Sequence, residues 1–521
     1  MMHAAPSRRS FLKTAAGVAA ATPFIRRMEK ADAATRKFDP DFGTATEAVR
    51  ALRAGAISSR ELVTHTFSRI RKYNPKVNAF ITLAEEQAIA RANEADEALA
   101  AGRAWGTLHG LPIVIKDAFE TAGIRTTSGS KTLENYIPQG DAVAVGRLKA
   151  AGAIIIGKTN MPEFAGDVQS YNAIAGTTNN PWDARRTPGG STGGGAAALA
   201  AGLGFLELGS DIGGSIRTPC SFCGVYGLKP TLNVVPTRGH IPPPPGTARA
   251  IVDLNVTGPM ARSAQDLSLE LEVIGGPAPG DDRAYRWRLP APRATRLKEY
   301  RIGFVLDDPF CPVTPEVKEV LGGAIDSLRR QGAQLEEGWP KDVAPQETFD
   351  VYIRLLSAFF APQAVPSNIQ LLRESVDKPW GYYARKWLEG TDALHKDWLG
   401  WSGLRLKARN AWEYYFSAHD AFLLPTDFVP AIPHDHELSF FERSLSTSQG
   451  SRSYGDVLRW ICFATLTGNP AVVAPAGLTK QGLPVGLQIM GPYLEDATAI
   501  SVAGLLADAV GGFRPPPGFG A

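Results

Sequence analysis

Gly152-Ala153-Ile154-Ile155-Ile156-Gly157-Lys158-Thr159 matches, letter for letter, the G-x-x-x-x-G-K-[ST] pattern of a phosphate-binding loop. How this stretch is read decides the fold. A phosphate cradle needs a flexible loop whose N–H groups converge, followed directly by a helix. Here the interior is Ala and three Ile, and Pro162 discourages helix propagation just beyond. The segment therefore reads as a buried strand, and nucleotide binding is set aside. Short apolar runs of the same texture occur at 111–115, 205–208, 471–474 and 485–490. Helical patterns lie between them. Ser58 and Glu61 form a capping box ahead of an apolar stripe of Leu62, Val63, Phe67 and Ile70. Further helical stretches are Ala/Glu-rich at Glu85–Ala100 and Ala-rich at 196–201. Helices alternating with buried strands predict an α/β fold, a large sheet covered by helices on both faces. An aromatic-rich, mostly helical region at about 340–450 reads as a cap. Pro242 to Pro245 read as a rigid exposed turn, and the Pro-rich tail from Pro515 as frayed.

The 521 residues are 44% apolar and 21% charged, proportions of an ordinary globular protein. Four Cys exclude a disulfide-built scaffold, and no apolar run reaches the roughly 18–20 residues of a membrane span. A net charge of +3 is too weak to argue for nucleic acid. Much of that charge sits at the N-terminus. Ser7-Arg8-Arg9-Ser10-Phe11-Leu12-Lys13 precedes a short apolar run interrupted by Pro23, and Ala31-Asp32-Ala33 offers a cleavage site. This order is that of a twin-arginine export signal, with cleavage after Ala33 and a periplasmic or secreted destination. Residues 1–33 hold six Lys/Arg and two Asp/Glu, leaving 49 against 50 in the remaining chain. Export would bring the translocation machinery as a partner and the membrane only in transit.

The chemistry concentrates in two Gly-rich loops. Arg186-Thr187-Pro188-Gly189-Gly190-Ser191-Thr192-Gly193-Gly194-Gly195 is followed by Ser210-Asp211-Ile212-Gly213-Gly214-Ser215-Ile216-Arg217. The N–H groups of Ile212, Gly213, Gly214 and Ser215 are free to converge on a developing oxyanion. Lys116 ends the apolar strand Leu111-Pro112-Ile113-Val114-Ile115, where desolvation would lower its pKa and make it a base. One Lys and two Ser thus suffice for a His-independent nucleophile. On these features alone the other reading, glycines for packing and Lys116 as a surface charge, stays open. Gly189 to Gly193 also match the G-x-S-x-G nucleophile elbow, with His240, His419, His434 and His436 downstream as partners. That elbow needs a strand before the serine, whereas residues 179–188 are polar and contain Pro181 and Pro188.

Taken together, these motifs resemble the amidase signature family. Gly189 to Ala197 is similar to its Gly/Ser-rich signature, and Gly209 to Pro219 to its nucleophile loop. Gly110 to Asp117 resembles the segment carrying its lysine. Gly157 to Phe164, Thr467 to Ala471 and Gly482 to Gln488 resemble further blocks, so the likeness spans about residues 40–510. It implies an amidase-signature fold over residues 34–521, with a core at about 40–335 and 455–510 and the cap inserted at about 340–450. It also implies Ser215 as nucleophile, Ser191 as bridging serine after a cis peptide, and Lys116 as base. Thr192, Asp211 and Arg217 would support the loop. The implied activity is hydrolysis of a carboxamide through an acyl-enzyme, with a small-molecule amide as partner and neither cofactor nor metal.

Two departures stand out. Thr192 occupies a position where the signature commonly has Ser, and Cys220 one where a small residue is usual, creating Cys220-x-x-Cys223. A redox pair or metal half-site there lacks the second Cys pair of a zinc site. His434-Asp435-His436-Glu437 reads as a polar loop rather than a metal cluster. Two other functions stay open, a glutamine-hydrolysing subunit of a tRNA-dependent amidotransferase and a non-catalytic amide-binding protein. So does a homodimer. Fatty, aryl, peptide C-terminal and cyclic oligomeric amides all remain candidate substrates.

Overall fold

The Ile-rich stretch at 154–159 is a strand whose six residues are all buried. In the computed structural model, residues 38–246, 253–363, 365–378 and 381–520 are described. The expected export signal at 1–33 lies outside them. Eleven strands form one sheet: β1 (Phe80–Leu83), β2 (Pro112–Lys116), β3 (Ile154–Thr159), β4 (Leu206–Asp211), β5 (Tyr226–Lys229), β6 (Val256–Ala261), β7 (Arg301–Phe304), β8 (Gln334–Glu337), β9 (Ala421–Pro425), β10 (Ala471–Leu478) and β11 (Pro484–Met490). Their order is β1-β3-β2-β4-β6-β5-β10-β11-β9-β7-β8. Strands β3, β2 and β4 run parallel, as do β9, β7 and β8, and the strands between them pair antiparallel. Every residue of β2, β3, β4, β6 and β11 is buried, so both faces of the sheet are covered there.

The helices follow the local chemistry of the sequence. Ser58 caps Ser59–Val77, accepting from the Glu61 amide while the Glu61 carboxylate takes the Ser58 N–H. In Glu85–Ala100 the alanines at 88, 92, 95 and 98 form the buried stripe. Gly193–Ala200 is buried along its whole length. Gly195 lies so close to β4 that a Cβ there would stand 2.4 Å from the Glu207 carboxyl carbon.

Three expectations need correction. The 340–450 region is helical through His395–Ala418 but then supplies β9, which pairs with β11 and β7. Its end is therefore part of the sheet and not an inserted cap. An alternation signal is missing because all five residues Ala421–Pro425 are buried. Of the expected exposed turn at Pro242 to Pro245, Pro244 is exposed but Pro242 is buried, next to Ile241, whose N–H donates to the Ala118 carbonyl at 2.7 Å. The tail is docked. Phe519 is fully buried with its ring 5.3 Å from that of Tyr73, and Arg69 donates to its carbonyl at 2.9 Å.

Candidate active site

Lys116 is the last residue of β2, and Ser210 and Asp211 close β4 beside it. The parallel register sets Val114 against Glu207 and Ile115 against Leu208. Lys116 and Ser210 thus emerge from the same carboxyl end of neighbouring strands, where α/β sheets gather their ligands. Lys116 Nζ lies 2.7 Å from Ser191 Oγ and 2.9 Å from Ser210 Oγ, with Lys116 and Ser191 fully buried. Burial pushes the Lys116 pKa down to about 7, against the opposing pull of Glu207 and Asp211. Beneath it burial raises Glu207 to about 8, although Thr159 donates to that carboxyl at 2.7 Å. Lys116 is therefore no surface charge. It is a lysine that loses its proton near neutrality within reach of a serine.

Ser191 follows a cis peptide, Gly190–Ser191, and leads into Gly193–Ala200. Next to it the Thr192 N–H donates to the Ser215 carbonyl at 3.1 Å, tying the two Gly-rich loops together. Ser191, Ser210 and Ser215 open on one pocket, whose walls include Phe164, Ile212, Pro242, Phe359 and Phe360. The pocket has an empty volume of about 320 Å³ counted out to solvent.

Asp211 organises the loop that carries Ser215. Its carboxylate accepts from the amides of Gly214 (3.0 Å), Ile216 (3.1 Å) and Arg217 (3.3 Å), and from the Arg217 guanidinium at 2.8 and 3.0 Å. Burial works to raise this carboxyl, but Arg217 and the amides outweigh it and hold it below the usual range. Arg217 also donates to the Ile461 carbonyl, Gln488 and Thr465 at 2.6–2.7 Å. Gly214 turns the loop at φ +85°, a conformation that favours glycine. Its amide, however, is committed to Asp211. Of the four amides expected to face an oxyanion, those of Ile212, Gly213 and Ser215 remain without a protein acceptor among the described residues. Thr192 supports the loop through its backbone, and its hydroxyl stands 3.5 Å from the Ser210 carbonyl.

Ser210 and Tyr352 join the site without having been singled out for it, and His240, expected only as a partner of an elbow serine, joins it in another role. The His240 ring contacts Ser210 Oγ through Nε2 at 2.9 Å and the Pro242 carbonyl through Nδ1 at 3.2 Å. Tyr352, fully buried, donates to the Ile212 carbonyl at 2.9 Å. A polar residue at a strand end beside Asp211 is the signal that could have drawn attention to Ser210. The elbow reading is not met, because Lys116 rather than His240 engages Ser191. His419 pairs with Glu336, and His436 stacks on Tyr171. Cys220 and Cys223 are buried free thiols, and burial raises both pKa values. Among the described residues, no group of three or more His, Cys, Asp or Glu is placed to hold a metal ion. No helix among them is long and apolar enough to cross a membrane. Lys158 of the phosphate-loop lookalike is buried in β3, donating to the Phe119 carbonyl at 2.6 Å and Thr126 at 2.9 Å.

Residues 61–500 match the family profile for Amidase. The chain belongs to the amidase signature family. Enzymes of this family hydrolyse carbon–nitrogen bonds. Among curated relatives of this amidase signature protein, a glutamyl-tRNA(Gln) amidotransferase subunit from Cyanothece sp. is 35% identical over 471 residues, 86% of this chain and 93% of the relative. The crystal structure of an amidase superposes with a TM-score of 0.73 at 28% identity, covering 90% of this chain and 100% of that one. The structure of 6-aminohexanoate cyclic dimer hydrolase does so with a TM-score of 0.73 at 27% identity, covering 93% and 100%.

Proposed function

We propose that this protein hydrolyses an uncharged carboxamide to a carboxylate and an amine or ammonia, with Ser215 as nucleophile, Ser191 as proton bridge and Lys116 as base. The observation that carries this reading is the buried Lys116–Ser191 contact of 2.7 Å beside Ser215 in one pocket. Neutral Lys116 takes the proton of Ser191 as Ser191 takes that of Ser215, and Ser215 Oγ bonds to the amide carbon. The oxyanion is met by the amides of Ile212, Gly213 and Ser215. Collapse breaks the C–N bond, and the proton held on Lys116 returns through Ser191 to the departing amine. Water then enters by the same relay and releases the carboxylate. Ser215→Ala should abolish product release while leaving the circular dichroism spectrum unchanged. Full activity in that variant would overturn the assignment.

The pocket favours an apolar or aryl acyl group. Among the described residues lining it, none carries a formal charge to meet the carboxylate and ammonium of a free amino acid. The likeness to amidotransferase subunits supports a second reading, a glutamine-hydrolysing subunit, which the same lining disfavours. A hydrolysis screen of fatty, aryl, peptide C-terminal and cyclic oligomeric amides alongside glutamine separates the two. The Arg8-Arg9 signal supports export to the periplasm by the twin-arginine route. N-terminal sequencing of periplasmic protein should start near Ala34, and a chain retaining Arg8-Arg9 there would count against export.

A further inference from the structure

We infer that His240 is a positioning residue that aims the lone pair of Lys116 at Ser191, acting through the Ser210 hydroxyl. The inference rests on the Ser215–Ser191–Lys116 chemistry proposed above and adds a member to it.

With the His240 ring taken as neutral, the direction of each hydrogen bond follows from what each atom can do. The Pro242 carbonyl, 3.2 Å from Nδ1, only accepts, so Nδ1 carries the ring proton. In the neutral imidazole Nε2 is then an acceptor, and the Ser210 hydroxyl 2.9 Å away donates to it. With its one proton committed, Ser210 Oγ offers only lone pairs to Lys116 Nζ, also 2.9 Å away. Lys116 therefore donates an N–H to Ser210. A neutral lysine amine has two N–H groups and one lone pair, and fixing an N–H on Ser210 leaves the lone pair for the Ser191 hydroxyl at 2.7 Å. Without an acceptor at Nε2, the Ser210 proton would turn to the lysine lone pair and compete with Ser191 for it.

The placement of His240 is built into the fold. The ring is 5% exposed and packs edge-on against Phe119 with centroids 5.1 Å apart. Its backbone is tied to the loop that follows Lys116, through Ile241 N–H to the Ala118 carbonyl (2.7 Å) and Glu120 N–H to the Gly239 carbonyl (2.9 Å). Base and orienting ring are therefore held by one short segment of chain.

The test is the rate at which a fluorophosphonate probe labels Ser215, which needs no knowledge of the natural amide. His240→Phe should slow the saturating labelling rate by about 10- to 100-fold, the range of a misdirected general base, with little change in the half-saturating probe concentration. His240→Gln, which can present a carbonyl to Ser210, should recover to within about threefold of the parent rate. In a Ser210→Ala background, His240→Phe should have less than about a twofold effect, because the path it acts through is gone. Additive losses in the double variant, an effect confined to probe affinity, or a Gln variant as slow as the Phe variant would each overturn the inference. Parent-rate labelling of His240→Phe would overturn it while leaving the proposed function standing. A parent protein not labelled at Ser215 would overturn both. If His240→Phe fails to fold, His240→Asn, too short to reach Ser210, takes its place against His240→Gln.

Discussion

Lys116 Nζ stands 2.7 Å from Ser191 Oγ with neither side chain open to solvent. Lys116→Met keeps the length and apolar stem of the side chain and removes the nitrogen. It should lower kcat by about 10²- to 10⁴-fold, the usual contribution of a general base, with KM little changed. Steady-state kinetics on an amide substrate of the parent enzyme checks this, and a Met variant of parental kcat would remove Lys116 from the mechanism.

The pH dependence follows from the same burial. A lysine acts as a base only after losing its proton, and burial brings the Lys116 pKa down to about 7. Activity should therefore be low in acid, rise through about pH 7 and level off above it. A flat kcat profile across neutrality, or a rise near the value of a solvated lysine, would contradict this.

Glu207 tunes that midpoint from below. Its carboxylate, when ionised, favours the charged form of Lys116. Glu207→Gln preserves the shape and an oxygen for the Thr159 hydroxyl while deleting the charge. Because burial holds most of Glu207 protonated until about pH 8, only its ionised fraction acts on Lys116, and the midpoint of the pH–rate profile should move only slightly to lower pH in this variant. An upward movement would show that the two groups are not coupled as described.

Arg217 and Asp211 form an ion pair that is fully buried on both sides. Removing one member of such a pair strands the other charge and costs about 3–5 kcal/mol. Arg217→Met should lower the unfolding free energy by about that amount. Thermal or denaturant unfolding measures it, and a loss below about 1 kcal/mol would mean the pair behaves as a surface one.

Phe359 and Phe360 bring the aromatic region to the pocket wall, their rings 5.0 Å apart. Phe360→Ala should raise KM for aryl or long-chain amides by about 10-fold or more while sparing acetamide-sized substrates. An equal effect on both would place the ring outside the acyl subsite.

Local chemistry made much of this legible from the sequence. The capping box at Ser58 and Glu61, the alanine stripe at Glu85–Ala100 and the all-apolar strands around 114, 155 and 473 are decided by near neighbours. Lys116 was readable because a charge ending an apolar strand is conspicuous. What escaped was long-range. Ser210 and Lys116 are 94 residues apart and His240 is 30 beyond Ser210, so no spacing rule joins them. Strand β9 follows a polar helix end and shows no alternation, because neighbouring strands and helices bury both of its faces. Phe519 reads as a loose end until Tyr73 and Arg69 are seen beneath it.

The Arg217 clamp bears on when the enzyme becomes active during its own synthesis. The nucleophile loop is complete by Arg217, yet the guanidinium that braces it is held by Ile461, Thr465 and Gln488. A nascent chain that has passed the ribosome exit only as far as the middle of its length carries Ser215 without that brace. On the mechanism proposed above, turnover in a refolding experiment should appear only once β11, which carries Gln488, has joined the sheet.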